Sequence, residues 1–64
     1  MPIIRIEMFE GRDAAKKLEL VQALTTEAVR ILGGTKDGVH VVITDVAKDN
    51  WGVGGELAST KFPD

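Results

Sequence analysis

The amino terminus of this chain contains a residue suited to proton transfer. Pro2 directly follows Met1, and removal of Met1 would leave Pro2 with a free secondary amine. An α-amino group titrates at roughly 7.7–8.0 in model peptides, and burial or nearby cations lower that pKa further. A neutral amine near pH 7 is a good general base and a possible nucleophile. On its own, however, a Met-Pro dipeptide is more typical of a proline that makes the start of a strand rigid.

Three further residues could complete a site around such an amine. Arg12 supplies a cation, His40 a polar ring and Trp51 a bulky aromatic. Each also has an ordinary explanation. Arg12 could be a solvated charge, His40 a surface residue of a strand and Trp51 an interface anchor. Together they suit proton abstraction next to a carbonyl, because a cation or hydrogen-bond donor stabilises the developing enolate. An aromatic wall would also lower the local dielectric and with it the pKa of the amine.

Two strands and one helix are predicted to position these residues. Residues 2–9 alternate in polarity, with Ile4, Ile6 and Met8 on one face, which predicts a strand. Residues 39–46 predict a second strand by the same period. Residues 13–32 predict an amphipathic helix capped by Asp13 and ended by Gly33. The expected apolar stripe of the helix is Leu18, Leu20, Val21, Leu24, Thr25, Ala28, Ile31 and Leu32, with Lys16 and Lys17 mostly on the polar side.

The order of these elements fixes where two of the candidates lie. A strand-helix-strand unit makes its strands parallel, with a right-handed crossover. Both strands then start at one end of the sheet, which places Pro2 near His40 if the strands pair directly. The remaining segments predict a turn at 35–38, a polar loop at 47–52, a short hairpin at 53–57 and an irregular tail at 60–64.

Composition limits the class of protein. A chain of 64 residues predicts one domain, residues 1–64, that is marginally stable alone, yet 44% of its residues are hydrophobic. We therefore expect part of the apolar surface to be buried between subunits. Without cysteine there is no disulfide or thiolate chemistry, and a net charge of -2 argues against nucleic acid as a partner. No apolar run approaches the ~20 residues of a membrane span, so we expect a soluble, cytoplasmic protein.

The whole pattern resembles the 4-oxalocrotonate tautomerase family over nearly the full chain. The matching residues are Pro2 after Met1, Glu10-Gly11-Arg12 before the helix, and Ile43-Thr44 in the second strand. The strongest match is the run from Trp51 to Ala58, WGVGGELA, a form of the family's aromatic-Gly-x-Gly-Gly motif. The Met-Pro dipeptide alone is weak evidence for the family. All of these matching residues together, in this order and in a chain of the family's length, are specific evidence for it.

The resemblance implies an α+β protomer, β-α-β plus a C-terminal hairpin, assembled as a homo-hexamer (a trimer of dimers), although some relatives pair two different chains. It implies no metal and no organic cofactor. Pro2 would be the general base that moves a proton within a small enol or dienol 2-oxo acid. Arg12 would bind the far carboxylate, and Trp51, where the family usually has Phe, would form a hydrophobic wall. In such hexamers one site draws on several subunits.

One position departs from the family pattern. His40 stands where the family has a second arginine, which is expected to hold the 2-keto oxygen and a carboxylate oxygen. An imidazole is largely neutral near pH 7 and lacks the guanidinium fork, although it can donate one hydrogen bond. We therefore expect a preference for monocarboxylate substrates, such as an arylpyruvate enol, over the dicarboxylate 2-hydroxymuconate.

Two alternatives remain open from the sequence. The same base could hydrate or dehalogenate an unsaturated acid with a carboxylate that activates water, and Glu7, Glu10, Asp45 and Asp49 are all available. The chain could instead be a non-catalytic oligomeric scaffold, in particular if Met1 is retained and Pro2 has no basic nitrogen.

Overall fold

The computed structural model describes residues 1–63 and confirms the α+β arrangement. The elements in order are β1 (Ile3–Phe9), α1 (Ala14–Leu32), β2 (His40–Val46), β3 (Gly52–Val53), β4 (Glu56–Leu57) and α2 (Ala58–Lys61). Single 3₁₀ turns lie at Lys36–Gly38 and Lys48–Asn50. The irregular tail predicted from residue 60 is wrong where α2 forms, and Asp64, also placed in that tail, lies outside the described residues.

The sheet is parallel, as the chain order requires. Its register runs from Ile3 opposite His40 to Phe9 opposite Val46 without interruption. In β1 the side chains of Ile4, Ile6 and Met8 are half-buried beneath α1, whereas those of Ile3, Arg5 and Glu7 are exposed on the other face. The alternation in the sequence thus corresponds to one face covered by a helix and one face open.

Helix α1 begins and ends at the predicted caps. The carboxylate Oδ1 of Asp13 accepts a hydrogen bond from the Lys16 backbone N–H at 2.9 Å, which satisfies one unpaired donor of the first turn. Gly33 has φ of 80° and donates its N–H to the Val29 carbonyl at 2.9 Å. A residue with a Cβ would be strained in this left-handed conformation. No helix within residues 1–63 has the length and apolar character needed to cross a membrane.

The predicted apolar stripe of α1 is only partly covered. Leu20, Leu24 and Ala28 are half-buried, but Leu18, Ile31 and Leu32 are 57%, 67% and 68% exposed in the single copy. A helix of 19 residues is about 28 Å long, whereas strands of seven residues reach about 23 Å, so the last helical turn overhangs the sheet.

Lys17 was assigned to the polar side of α1, and this prediction is wrong. Its ammonium forms an ion pair with Asp45, and both side chains are only about one-third exposed. The pair joins the first part of α1 to the end of β2, across the edge of the two-stranded sheet.

The hairpin predicted at 53–57 is confirmed. Strands β3 and β4 pair antiparallel, with Val53 opposite Glu56. Gly54 and Gly55 form the two-residue turn with φ of 60° and 85°. Two consecutive positive φ values match the twist of a tight hairpin and explain the Gly-Gly pair.

A single copy is a thin plate with almost no interior. Its extents are 43 × 24 × 13 Å, and Ala58 is the one fully buried residue among residues 1–63. It exposes 4864 Å² of surface, whereas a folded monomer of this length is expected to expose about 4000 Å². The excess is close to the ~800 Å² that one partner contributes to a standard interface. The excess area and the exposed apolar side chains agree with the expectation that part of the apolar surface is buried between subunits.

Candidate active site

The amino-end corner of the sheet consists of Pro2 and His40. The carbonyl of Pro2 accepts a hydrogen bond from the His40 backbone N–H at 3.0 Å, so the predicted proximity of these residues is confirmed. Pro2 is half-buried, and His40 is exposed at the register position of Ile3, on the open face. Met1 is 89% exposed, which leaves the bond between Met1 and Pro2 accessible.

The carboxyl-end corner consists of Phe9, Arg12 and Trp51. Arg12 lies in the loop between β1 and α1, and its Nη1 donates to the Phe9 carbonyl at 3.5 Å. The Trp51 ring meets the Phe9 ring edge-to-face, with 4.6 Å between centroids and 64° between planes. Phe9 thus joins the predicted cation to the predicted aromatic wall. An edge-to-face pair at this distance restrains both rings.

A groove of about 290 Å³ lies beside Trp51. It is lined by Glu7, Val46, Asn50, Trp51 and Gly52. Its wall therefore combines one large aromatic surface with a carboxylate and an amide. The backbone of Trp51 is fixed at two points, because its carbonyl accepts from the Ala58 N–H at 2.7 Å and its N–H donates to the Lys48 carbonyl at 3.3 Å.

The two corners lie at opposite ends of β1. Seven residue steps separate Pro2 from Phe9, a distance of about 23 Å along an extended strand. The Arg12 guanidinium lies at the Phe9 carbonyl, so it cannot reach a small acid bound at Pro2 of the same copy. One copy brings Pro2 to His40 and Arg12 to Trp51, but it does not bring these two pairs together. A site that uses all four residues requires a second copy.

Three residues at the carboxyl-end corner were not singled out from the sequence. The sequence places Phe9 in the first strand, Phe62 in the irregular tail and Lys48 in the polar loop, without a role for any of them. The ring of Phe9 contacts those of Trp51 and Phe62, and the Lys48 Nζ is 5.5 Å from the Phe9 centroid. An aromatic residue at the end of a strand was the one available signal, since the other contacts depend on how the chain folds back.

Known proteins share both the sequence and the fold of this chain. A family model described as tautomerase enzyme matches residues 2–61. A 2-hydroxymuconate tautomerase of Pseudomonas putida is 41% identical over 59 residues, which are 92% of this chain and 94% of the relative. A solved 4-oxalocrotonate tautomerase isozyme from Methylibium petroleiphilum is 34% identical with a TM-score of 0.88, covering 95% of this chain and 98% of that one. A fused 4-OT solved as an asymmetric trimer is 26% identical with a TM-score of 0.90, and this chain spans 50% of its length.

These matches and the fold define an enzyme that interconverts keto and enol groups. The chain belongs to the tautomerase family, within which it resembles the 4-oxalocrotonate tautomerases in sequence and topology. The alternative of a scaffold without chemistry is therefore set aside. The roles of Pro2, Arg12, His40 and Trp51 remain predictions.

Proposed function

We propose that this enzyme tautomerises a small enol or dienol 2-oxo acid, with the amine of Pro2 as general base after removal of Met1. The amine takes the proton from the enol oxygen and returns it to carbon. The C=C bond is lost as the C=O bond forms, so no other reactant is needed. The observation that carries the proposal is the fixed position of Pro2, whose carbonyl is hydrogen-bonded to β2 at 3.0 Å within a chain of the tautomerase family.

The proposed site forms between copies of this chain. Arg12 and Trp51 of a neighbouring copy would face Pro2, with Arg12 binding the substrate carboxylate and Trp51 excluding water from the amine. The proposed assembly is a homo-hexamer without a metal or organic cofactor, and a hetero-hexamer is the alternative. The support is the separation of the two corners within one copy and the excess surface of the protomer.

The identity of residue 40 affects which substrate we expect the enzyme to prefer, because His40 stands at the amino-end corner. Its exposed imidazole lies at the amino-end corner, where it could donate one hydrogen bond to an enolate oxygen. One strong cation, Arg12, suffices for a monocarboxylate such as an arylpyruvate enol. A dicarboxylate such as 2-hydroxymuconate would need a second cation to be held equally well. We therefore propose a monocarboxylate enol acid as the better substrate.

The replacement Pro2→Ala tests the base. Intact-mass measurement of the purified protein first establishes that Met1, roughly 131 Da, has been removed. After Met1 removal the variant keeps a primary amine but loses the pyrrolidine ring that positions the nitrogen. A positioned base contributes about 10²- to 10⁴-fold, so kcat/KM for phenylenolpyruvate should fall within that range while the assembled mass stays unchanged. Unchanged activity in the Pro2→Ala protein would contradict the assignment.

Hydration or dehalogenation of an unsaturated acid is the second candidate. Of the four carboxylates proposed to activate water, Glu7 lines the groove beside Trp51. Asp45 is instead paired with Lys17. Turnover of a 3-haloacrylate that exceeds turnover of enol acids and is lost in Glu7→Gln would favour this reaction over tautomerisation.

A further inference from the structure

Three aromatic rings form a row of pairwise contacts, from Trp51 to Phe9 and from Phe9 to Phe62. The centroid of the Phe9 ring lies 4.6 Å from that of Trp51 and 6.2 Å from that of Phe62. The planes are inclined by 64° and 49°, respectively. Phe62 follows α2 and is 44% exposed, so it lies on the rim of the molecule. A change in the position of Phe62 can therefore reach Trp51 through one intervening ring.

Lys48 ties the same segment to the loop that carries Trp51. Its Nζ donates a hydrogen bond to the Phe62 carbonyl and lies 5.5 Å from the Phe9 ring centroid. The Phe62 N–H in turn donates to the Ala58 carbonyl at 2.7 Å. Since the Ala58 N–H is bonded to the Trp51 carbonyl, side-chain and backbone contacts form a closed loop from Lys48 through Phe62 back to Trp51.

We infer that Phe62 and Lys48 are positioning residues that hold the Trp51 ring in the orientation in which it faces the substrate. This inference rests on the proposed function in that Trp51 is taken to line the site. Phe62 restrains Phe9 through their ring contact, and Lys48 keeps Phe62 in place by binding its carbonyl. Neither residue needs to touch the substrate. Their effect is on the wall of the groove, which would move if Phe9 were free to turn.

Fluorescence reports directly on the surroundings of the Trp51 ring, because Trp51 is the sole tryptophan and the chain has no tyrosine. In Phe62→Ala and Lys48→Met we expect a shift of the Trp51 emission maximum and stronger quenching by acrylamide. Lys48→Arg, which keeps a cation over Phe9, should largely restore the wild-type spectrum. Thr60→Ala is the matched control, since Thr60 is an exposed residue of α2 outside the ring row and should leave the spectrum unchanged.

Steady-state kinetics on an enol acid should separate positioning from loss of fold. For Phe62→Ala we expect KM to rise about two- to tenfold, the factor that corresponds to one aromatic pair, with a smaller change in kcat. Loss of folded enzyme would instead lower kcat at constant KM. The same pattern in a variant that is fully folded would overturn the inference.

An unchanged Trp51 spectrum in both variants would also overturn the inference, as would a changed spectrum with unchanged KM. Failure of the proposed function is seen separately, as wild-type activity in Pro2→Ala. If the enzyme then proves to act on another substrate, the inference fails as well when Phe62→Ala leaves KM for that substrate unchanged. A Phe62→Ala protein that does not fold leaves the Lys48→Met and Lys48→Arg pair to decide by the same readouts.

Discussion

Mixing two inactive variants tests whether Pro2 and Arg12 act from different copies. Pro2→Ala replaces the proposed secondary-amine base by the unconstrained primary amine of alanine, and Arg12→Ala removes the proposed carboxylate anchor. Within one copy Pro2 lies about 23 Å along the strand from Phe9, and the Arg12 guanidinium is hydrogen-bonded to the Phe9 carbonyl. A site assembled from two copies can take an intact Pro2 from one variant and an intact Arg12 from the other.

The size of the recovery follows from random association. In a 1:1 mixture each position of a shared site is intact half of the time, so about a quarter of the sites contain both residues. We expect the mixed oligomer to have about a quarter of the wild-type kcat per site. The Pro2→Ala protein alone should retain at most about 1% of activity, since a positioned base contributes 10²-fold or more. The recovered signal would thus stand well above background.

The assay uses co-refolded protein. The two variants are unfolded together, refolded at equal concentration, and assayed by the ultraviolet absorbance of a conjugated enol acid as it becomes the keto acid. The control mixes Pro2→Ala with the double variant Pro2→Ala/Arg12→Ala, in which every site lacks the proline amine and no recovery is expected. If mass spectrometry shows mixed oligomers but activity equals the mean of the separate variants, the two-copy site is wrong.

Two further substitutions test specificity and stability. His40→Arg should raise kcat/KM for 2-hydroxymuconate by about 10²-fold, because it adds a charged bidentate donor at the amino-end corner. Turnover of phenylenolpyruvate should change only a few-fold. An unchanged rate with the dicarboxylate would refute the explanation of substrate preference. Asp13→Ala should lower the free energy of unfolding by about 1 kcal/mol, measured by urea denaturation at fixed protein concentration. Asp37→Ala, an exposed residue of the 3₁₀ turn, should stay within about 0.5 kcal/mol of wild type, and equal losses in both variants would reject the cap.

The elements of this fold were predictable because their signals are local. Alternation with period two marks β1, and Asp13 and Gly33 mark the ends of α1 by requirements of the backbone itself. The proximity of Pro2 and His40 followed from chain order, since a helix between two strands makes them parallel. Each of these inferences needs information only from neighbouring residues and general rules of connection.

The parts that were missed depend on the lateral size of the sheet and on distant contacts. Ile31 belongs to the apolar stripe by periodicity, yet it is exposed because two strands are too few and too short to cover the helix end. Lys17 is half-buried because Asp45 lies at the sheet edge beside it. The ring row around Phe9 requires that Trp51 and Phe62, far along the chain, return to the end of β1. No local pattern contains that information.

The proposed assembly and the proposed shared site are linked by the shape of the protomer. A plate 13 Å thick leaves apolar side chains of α1 and the open sheet face uncovered, and the same geometry places the two corners out of reach of each other. The proposed association with other copies would cover the apolar surface and bring opposite corners together in one event. Because one contact surface would serve both purposes, exposed residues such as Ile31 that touch no substrate would still influence the amount of active enzyme. With such a shared site, the stability of the assembly would set how many complete sites exist.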